Sequence, residues 1–152
     1  MSQTTPRAGL FDISAPVLGY TTLRLAIGMS MLIHGIARFP KISTFVEATV
    51  KMFAGSPLPA FAVATFARMT PPVELMIGLL VILGLATRLG LTLGGIWMVL
   101  LIFGSTLIEK YDVVGIQLVY SLIFFQLLQH LPQNMLSVDA LIGVRRRTSP
   151  GI

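Results

Sequence analysis

Apolar residues dominate four long stretches of this chain, each of them long enough to cross a bilayer. A hydrocarbon core about 30 Å thick needs roughly 20 residues of helix rising about 1.5 Å each. The first stretch runs from about Val17 to Phe39, entered past Pro16 and stopped by Pro40, which cannot continue the backbone hydrogen-bond ladder. The second is anchored by Val73 to Leu85 and extends back to Leu58, so that Pro71-Pro72 becomes a kink inside one long helix. The third, Leu89 to Ile108, carries Trp97 and no charge, and the fourth, about Val113 to Leu131, ends at Pro132. The pattern predicts an all-α integral membrane protein, a single domain over residues 1–152 built as a four-helix up-down bundle. Its helices fall at about 17–39, 58–85, 89–108 and 113–131, with polar tails at 1–15 and 132–152.

The connections constrain the packing. Only Ala86-Thr87-Arg88 separates the second and third stretches, and Glu109, Lys110 and Asp112 surround the link between the third and fourth, so both pairs are antiparallel neighbours. The longer segment from Lys41 to Ser56 places Ile42, Phe45, Val46, Thr49, Val50 and Phe53 near one helical face, with Glu47 and Lys51 elsewhere. It is expected to be an amphipathic cap along the membrane surface.

Composition narrows the function. Of 152 residues 55% are apolar and 11% charged, too little charge for a soluble domain of this length. The net charge is +5, but the basic residues stand singly at the edges of apolar runs apart from Arg145-Arg146-Arg147. That placement suits membrane topology and not nucleic-acid binding. The triplet reads as a topology anchor or a contact with anionic lipid. It favours cytoplasmic N and C termini, although basic residues are otherwise split between the two sides. The first apolar run is longer than a signal-peptide core and is expected to be retained. With no cysteine, the chain has no thiol chemistry, disulfide or cysteine-ligated cluster of its own, so redox work needs a borrowed cofactor or a partner.

A charge at the centre of a membrane helix costs roughly 2.5–3.5 kcal/mol on insertion scales, so buried charge calls for a partner or a purpose. Three residues qualify: Arg24, His34 and Glu74. Counting from Pro16 and Thr87 as one membrane surface puts Arg24 about 12 Å, Glu74 about 20 Å and His34 about 27 Å across. An Arg24–Glu74 ion pair with His34 beyond it is therefore expected. It serves either to fix helix register or to line a cofactor-binding pocket for a quinone head group or a proton path. His34 and His130 fall at opposite faces, about 25 Å apart, which excludes both from one haem iron. No His, Asp and Glu group has the spacing of a metal site. Gly28, Gly35, Gly78, Gly84, Gly90, Gly94 and Gly95 read as close contacts between helices, Gln117, Gln126 and Gln129 as interhelical hydrogen-bonding groups, and Arg38, Arg68 and Arg88 as helix ends snorkelling to the interface.

Leu23-Arg24-Leu25 with Gly28, Leu32-Ile33-His34-Gly35, Glu74 with Gly78-Leu79-Leu80, Leu83-Gly84-Leu85-Ala86-Thr87-Arg88 and Ser137-Val138-Asp139 together span most of the chain, and their order resembles the DoxX family. The resemblance implies a four-helix membrane fold linked to redox systems, including a subunit similar to part of a thiosulfate:quinone oxidoreductase. It implies no particular activity for this chain. The third stretch ends Gly104-Ser105-Thr106-Leu107 where many relatives are expected to carry a polar or His-containing end. Two functions follow as expectations. One is an auxiliary subunit of a quinone-linked system in a cell inner membrane, with a soluble or membrane redox partner. The other is a stand-alone homo-oligomer that binds or moves a small hydrophobic molecule or assists membrane-protein assembly.

Overall fold

The computed structural model describes residues 13–148, so Arg7 and most of the polar N-terminal stretch lie outside the described residues. Six α-helices follow in order: α1 (Ala15–Arg38), α2 (Ile42–Met52), α3 (Ala60–Leu83), α4 (Thr87–Leu107), α5 (Tyr111–Gln129) and α6 (Val138–Thr148). Four helical stretches are long and apolar enough to cross a membrane, and the described residues contain no strand. The chain is a helical integral membrane bundle.

Two of its helix boundaries follow directly from local chemistry. Gly84 ends α3 in the left-handed region at φ 62°, and the Leu85 N–H returns to the Leu80 carbonyl at 3.1 Å, closing the last turn. Glu109 takes the same role after α4 at φ 60°, with the Lys110 N–H on the Ser105 carbonyl at 2.9 Å. Pro71 and Pro72 sit inside α3, which continues through them.

The first helix ends at Arg38, beside the expected Phe39, but Pro40 does not end the helical run. It occupies the first turn of a short 3-10 segment, Phe39–Lys41, where its missing N–H would lack a partner in any case. Ala15–Met52 is thus one nearly unbroken stretch of helix. Its second part, α2, has the expected apolar face: Val46 is buried, while Ser43, Thr44, Glu47 and Lys51 are exposed. That face packs on the first half of α3.

The core runs through Tyr20, Ile27, Met31, Ile77, Val81, Leu91, Met98, Phe124 and Leu127. Large apolar side chains such as Ile33, Leu79, Ile96 and Ile116 remain exposed, as expected where lipid is the solvent. Glycines set the closest approach. A Cβ on Gly28 would meet Ile82 and Val81, one on Gly78 would meet the Leu32 backbone, and one on Gly35 would meet Leu75 and Pro71, which fixes α1 against α3 in a constant antiparallel register. Gly94 lies against the Phe124 ring in the same manner. Gly95 differs from the expectation: a Cβ added there would meet nothing within 4 Å.

Candidate functional site

The register of α1 on α3 decides which buried charges meet. Extended along α1, it leaves Arg24 level with the end of α3 and about 18 Å along the helix axis from Glu74. The expected Arg24–Glu74 pair therefore does not form. Glu74 instead forms an ion pair with Arg38, through Nη1 and Oε2. The count from Pro16 and Thr87 fails because α1 begins well before the level at which α3 ends, so the two residues do not mark one surface. Arg38, the last residue of α1, thus turns to Glu74 and not outward to the interface; its side chain is 30% exposed and that of Glu74 5%. Its guanidinium also sits 5.1 Å from the centre of the Phe45 ring on α2, a cation–π contact.

Arg24 is 2% exposed and hydrogen-bonds backbone carbonyls only: Nη1 donates to Val81 at 2.9 Å and Ile82 at 3.1 Å, and Nη2 to Leu136 at 2.7 Å. Val81 and Ile82 belong to the last turn of α3, which carries the negative end of its dipole; the Val81 carbonyl also accepts the Gly84 N–H at 3.3 Å. Arg24 acts there as a C-terminal cap from another helix. Across the same turn, the Asp139 carboxylate accepts the Ala86 N–H at 2.8 Å and the Thr87 N–H at 2.7 Å, capping the start of α4. Burial pushes the Asp139 carboxyl up, but the Thr87 and Ala86 hydrogen bonds together with the Arg24 charge outweigh it and hold the group below its usual range. The Asp139 N–H donates to the Gly84 carbonyl at 2.9 Å, and Asn134 Nδ2 donates to Thr87 Oγ1 at 2.8 Å. Arg24, the Gly84–Thr87 turn and Ser137–Asp139, far apart in sequence, thus form one clasp.

Arg38 and Glu74 open onto a cavity of about 660 Å³ between α2, α3, α4 and α5. Phe45, Met52 and Phe53 line it from the α2 side, Val63, Phe66 and Ala67 from α3, and Leu100, Leu101 and Phe103 from α4. Its polar groups are few. Besides the ion pair, Gln117 donates from Nε2 to Ser105 Oγ at 3.0 Å, while Gln117 Oε1 is buried without a partner, and Lys110 and Asp112 stand at the turn between α4 and α5. Among the described residues no cluster of three His, Asp or Glu side chains could hold a metal ion. The cavity is apolar with a small set of donors and acceptors, the usual make-up of a site for a small amphipathic molecule.

Of the three residues singled out from sequence, Glu74 lines this cavity, whereas neither Arg24 nor His34 does. His34 lies one helical turn before Arg38 on α1 and is exposed. Tyr120 and Ser30 share a hydrogen bond of 2.6 Å between α5 and α1 one turn further back. Sequence reasoning misses Arg38, Ser105 and the aromatics Phe45 and Phe53. The available signal is the amphipathic α2 segment directly after Pro40, which means that Arg38 is followed by more helix and not by water.

No curated protein and no solved structure matches the chain. The DoxX family model matches residues 19–106, more than half of its length. That match takes in Arg24, Arg38, Glu74 and the Gly84–Thr87 turn, and by it the chain belongs to the DoxX family.

Proposed function

We propose that this protein is an auxiliary subunit of a quinone-linked membrane redox system and that it receives a quinone head group in the cavity beside Arg38 and Glu74. The observation that carries the reading is the pairing of a large apolar cavity with both kinds of hydrogen-bonding group at its wall. Quinone carbonyl oxygens are acceptors and suit the Arg38 guanidinium. The hydroxyls of the reduced form are donors and suit the Glu74 carboxylate and Gln117 Oε1. An isoprenoid tail suits the Phe45, Phe53, Phe66 and Phe103 walls. His34 stands outside the cavity, one turn from Arg38, where it could exchange a proton with the site, and Arg24 serves the fold. A cell inner membrane with both termini in the cytoplasm fits this role, with the redox partner supplying the electron chemistry that a cysteine-free chain lacks.

Native mass spectrometry of the protein purified gently from its own membranes tests the reading by weighing the complex and its small molecules together. A quinone-mass adduct at one per chain, weakened in Arg38→Gln and in Glu74→Gln, is the expected result. A bare homo-oligomer carrying phospholipid alone would overturn it in favour of a stand-alone protein for another hydrophobic molecule.

A further inference from the structure

The chain beyond α5 returns to the bundle and is fastened there. The Leu136 carbonyl accepts from Arg24, the Asp139 N–H donates to Gly84, and the Asp139 carboxylate takes the Ala86 and Thr87 N–H groups. These bonds hold the first turn of α6 against the link between α3 and α4. Two membrane-crossing helices meet at that link, so it marks a membrane boundary. Held at this level, Val138, Asp139 and Ala140 are half-buried, whereas Leu141 is 67% and Ile142 41% exposed. Met135, just before α6, is 64% exposed. The same helix continues through Arg145, Arg146 and Arg147, and Arg88 is exposed on the first turn of α4.

We propose that α6 lies in the headgroup layer of the surrounding bilayer, with Leu141 and Ile142 seated at the acyl boundary and the cationic sequence that follows drawing the helix to anionic phospholipid. Charge complementarity selects this occupant. The one acid of α6, Asp139, is consumed by the clasp, so the rest of the helix is apolar and then cationic in sequence, the composition of an interfacial helix on an anionic leaflet. The clasp fixes the first turn at the boundary in advance, which spares the helix most of the ordering cost of binding. The proposal is independent of the cavity and of what fills it.

Because the chain has no cysteine, Ile142→Cys gives a single labelling site in the full-length protein. The protein carrying a polarity-sensitive fluorophore there is reconstituted in nanodiscs of phosphatidylcholine alone or mixed with phosphatidylglycerol. Lipids spin-labelled near the headgroup serve as quenchers. Blue-shifted, lipid-quenched emission is expected in the phosphatidylglycerol discs, reversed by high salt. Each Arg→Gln change at 145, 146 or 147 is expected to lower the ratio of bound to free helix about fivefold. Emission of a water-exposed probe in both discs would overturn the proposal, as would quenching indifferent to phosphatidylglycerol, salt and the arginines. Gly143→Cys, where an added Cβ meets nothing within 4 Å, provides the same reading should the Ile142 variant fail to fold.

Discussion

Arg24 and Asp139 grip one turn of the backbone from its two electrostatic ends. The guanidinium of Arg24 satisfies carbonyls at the negative end of α3, and the carboxylate of Asp139 satisfies N–H groups at the positive end of α4, with only Gly84, Leu85 and Ala86 between the two helices. A buried arginine without a carboxylate partner is costly in a membrane. Here both Nη atoms meet backbone carbonyls and the cost is offset in part, while Nε is buried without a partner.

The cap formed by Asp139 makes stability depend on pH. Its carboxyl is held below the ordinary value of 3.8, so the unfolded chain binds its proton more readily than the folded one. The stabilisation is therefore complete above the unfolded value and is lost as pH falls below about 4 through the folded one. Asp139→Ala should cost about 1 kcal/mol at neutral pH, within the usual range for a helix cap, and should abolish this acid-side slope. Thermal unfolding in detergent across that pH range checks both.

Arg24→Leu removes its hydrogen bonds from three carbonyls at once; Val81 keeps the Gly84 N–H, and the loss should cost about 1–3 kcal/mol for each of the Ile82 and Leu136 carbonyls left buried and unpaired. Arg24→Lys keeps the charge but not the planar fork that reaches Val81, Ile82 and Leu136 together, so it should fall between wild type and Arg24→Leu. The yield and melting temperature of detergent-solubilised protein give the order. Equal behaviour of the Leu and Lys variants would remove the fork from the account.

A double-mutant cycle tests which charges are coupled. Arg38→Leu strands Glu74 in a site where only 5% of its side chain is exposed and should cost about 3–5 kcal/mol, most of which Arg38→Leu with Glu74→Leu should restore. Arg24→Leu with Glu74→Leu should show no such recovery, because the two lie apart. Recovery in the second cycle and not in the first would reverse the assignment.

How far the fold is legible in the sequence depends on which physical constraint each residue answers to. The crossing segments are visible because bilayer thickness imposes a length of apolar chain that nothing else in a chain this small demands. Glu74 is legible because a carboxylate inside such a segment stands out at once. Its partner is not, because helix register is a tertiary quantity, set here by Gly28, Gly35 and Gly78 letting α1 settle on α3 at one offset, and no count from the segment ends contains it. Arg38 does end α1, but Pro40 after it suggests that the chain leaves the bundle there, although a proline in the first turn of a new helical segment costs no hydrogen bond and helix resumes in α2. The helix α6 within the expected polar tail is held by Asp139, whose partners Ala86 and Thr87 stand 53 and 52 residues earlier, a distance at which local pattern carries no information.

Two glycines of the same appearance in sequence should respond oppositely to a methyl group. At Gly78 a Cβ would lie 2.5 Å from the Leu32 nitrogen and 2.7 Å from its Cα, and since these are backbone atoms no rotamer change relieves the clash. Gly78→Ala must push α1 off α3 along the seam that also brings Arg38 to Glu74, at a cost of about 1–3 kcal/mol for overpacking. At Gly95 the space is open, and alanine there gains helix propensity worth up to about 1 kcal/mol. Melting temperatures of the two variants in one detergent should therefore move apart, down for Gly78→Ala and level or up for Gly95→Ala. Because the Gly78 seam also positions the ion pair, the Gly78 variant should lose part of the coupling measured between Arg38 and Glu74, whereas the Gly95 variant should keep it whole. A Gly78→Ala protein that retains both its melting temperature and that coupling would show that α1 and α3 meet in another register.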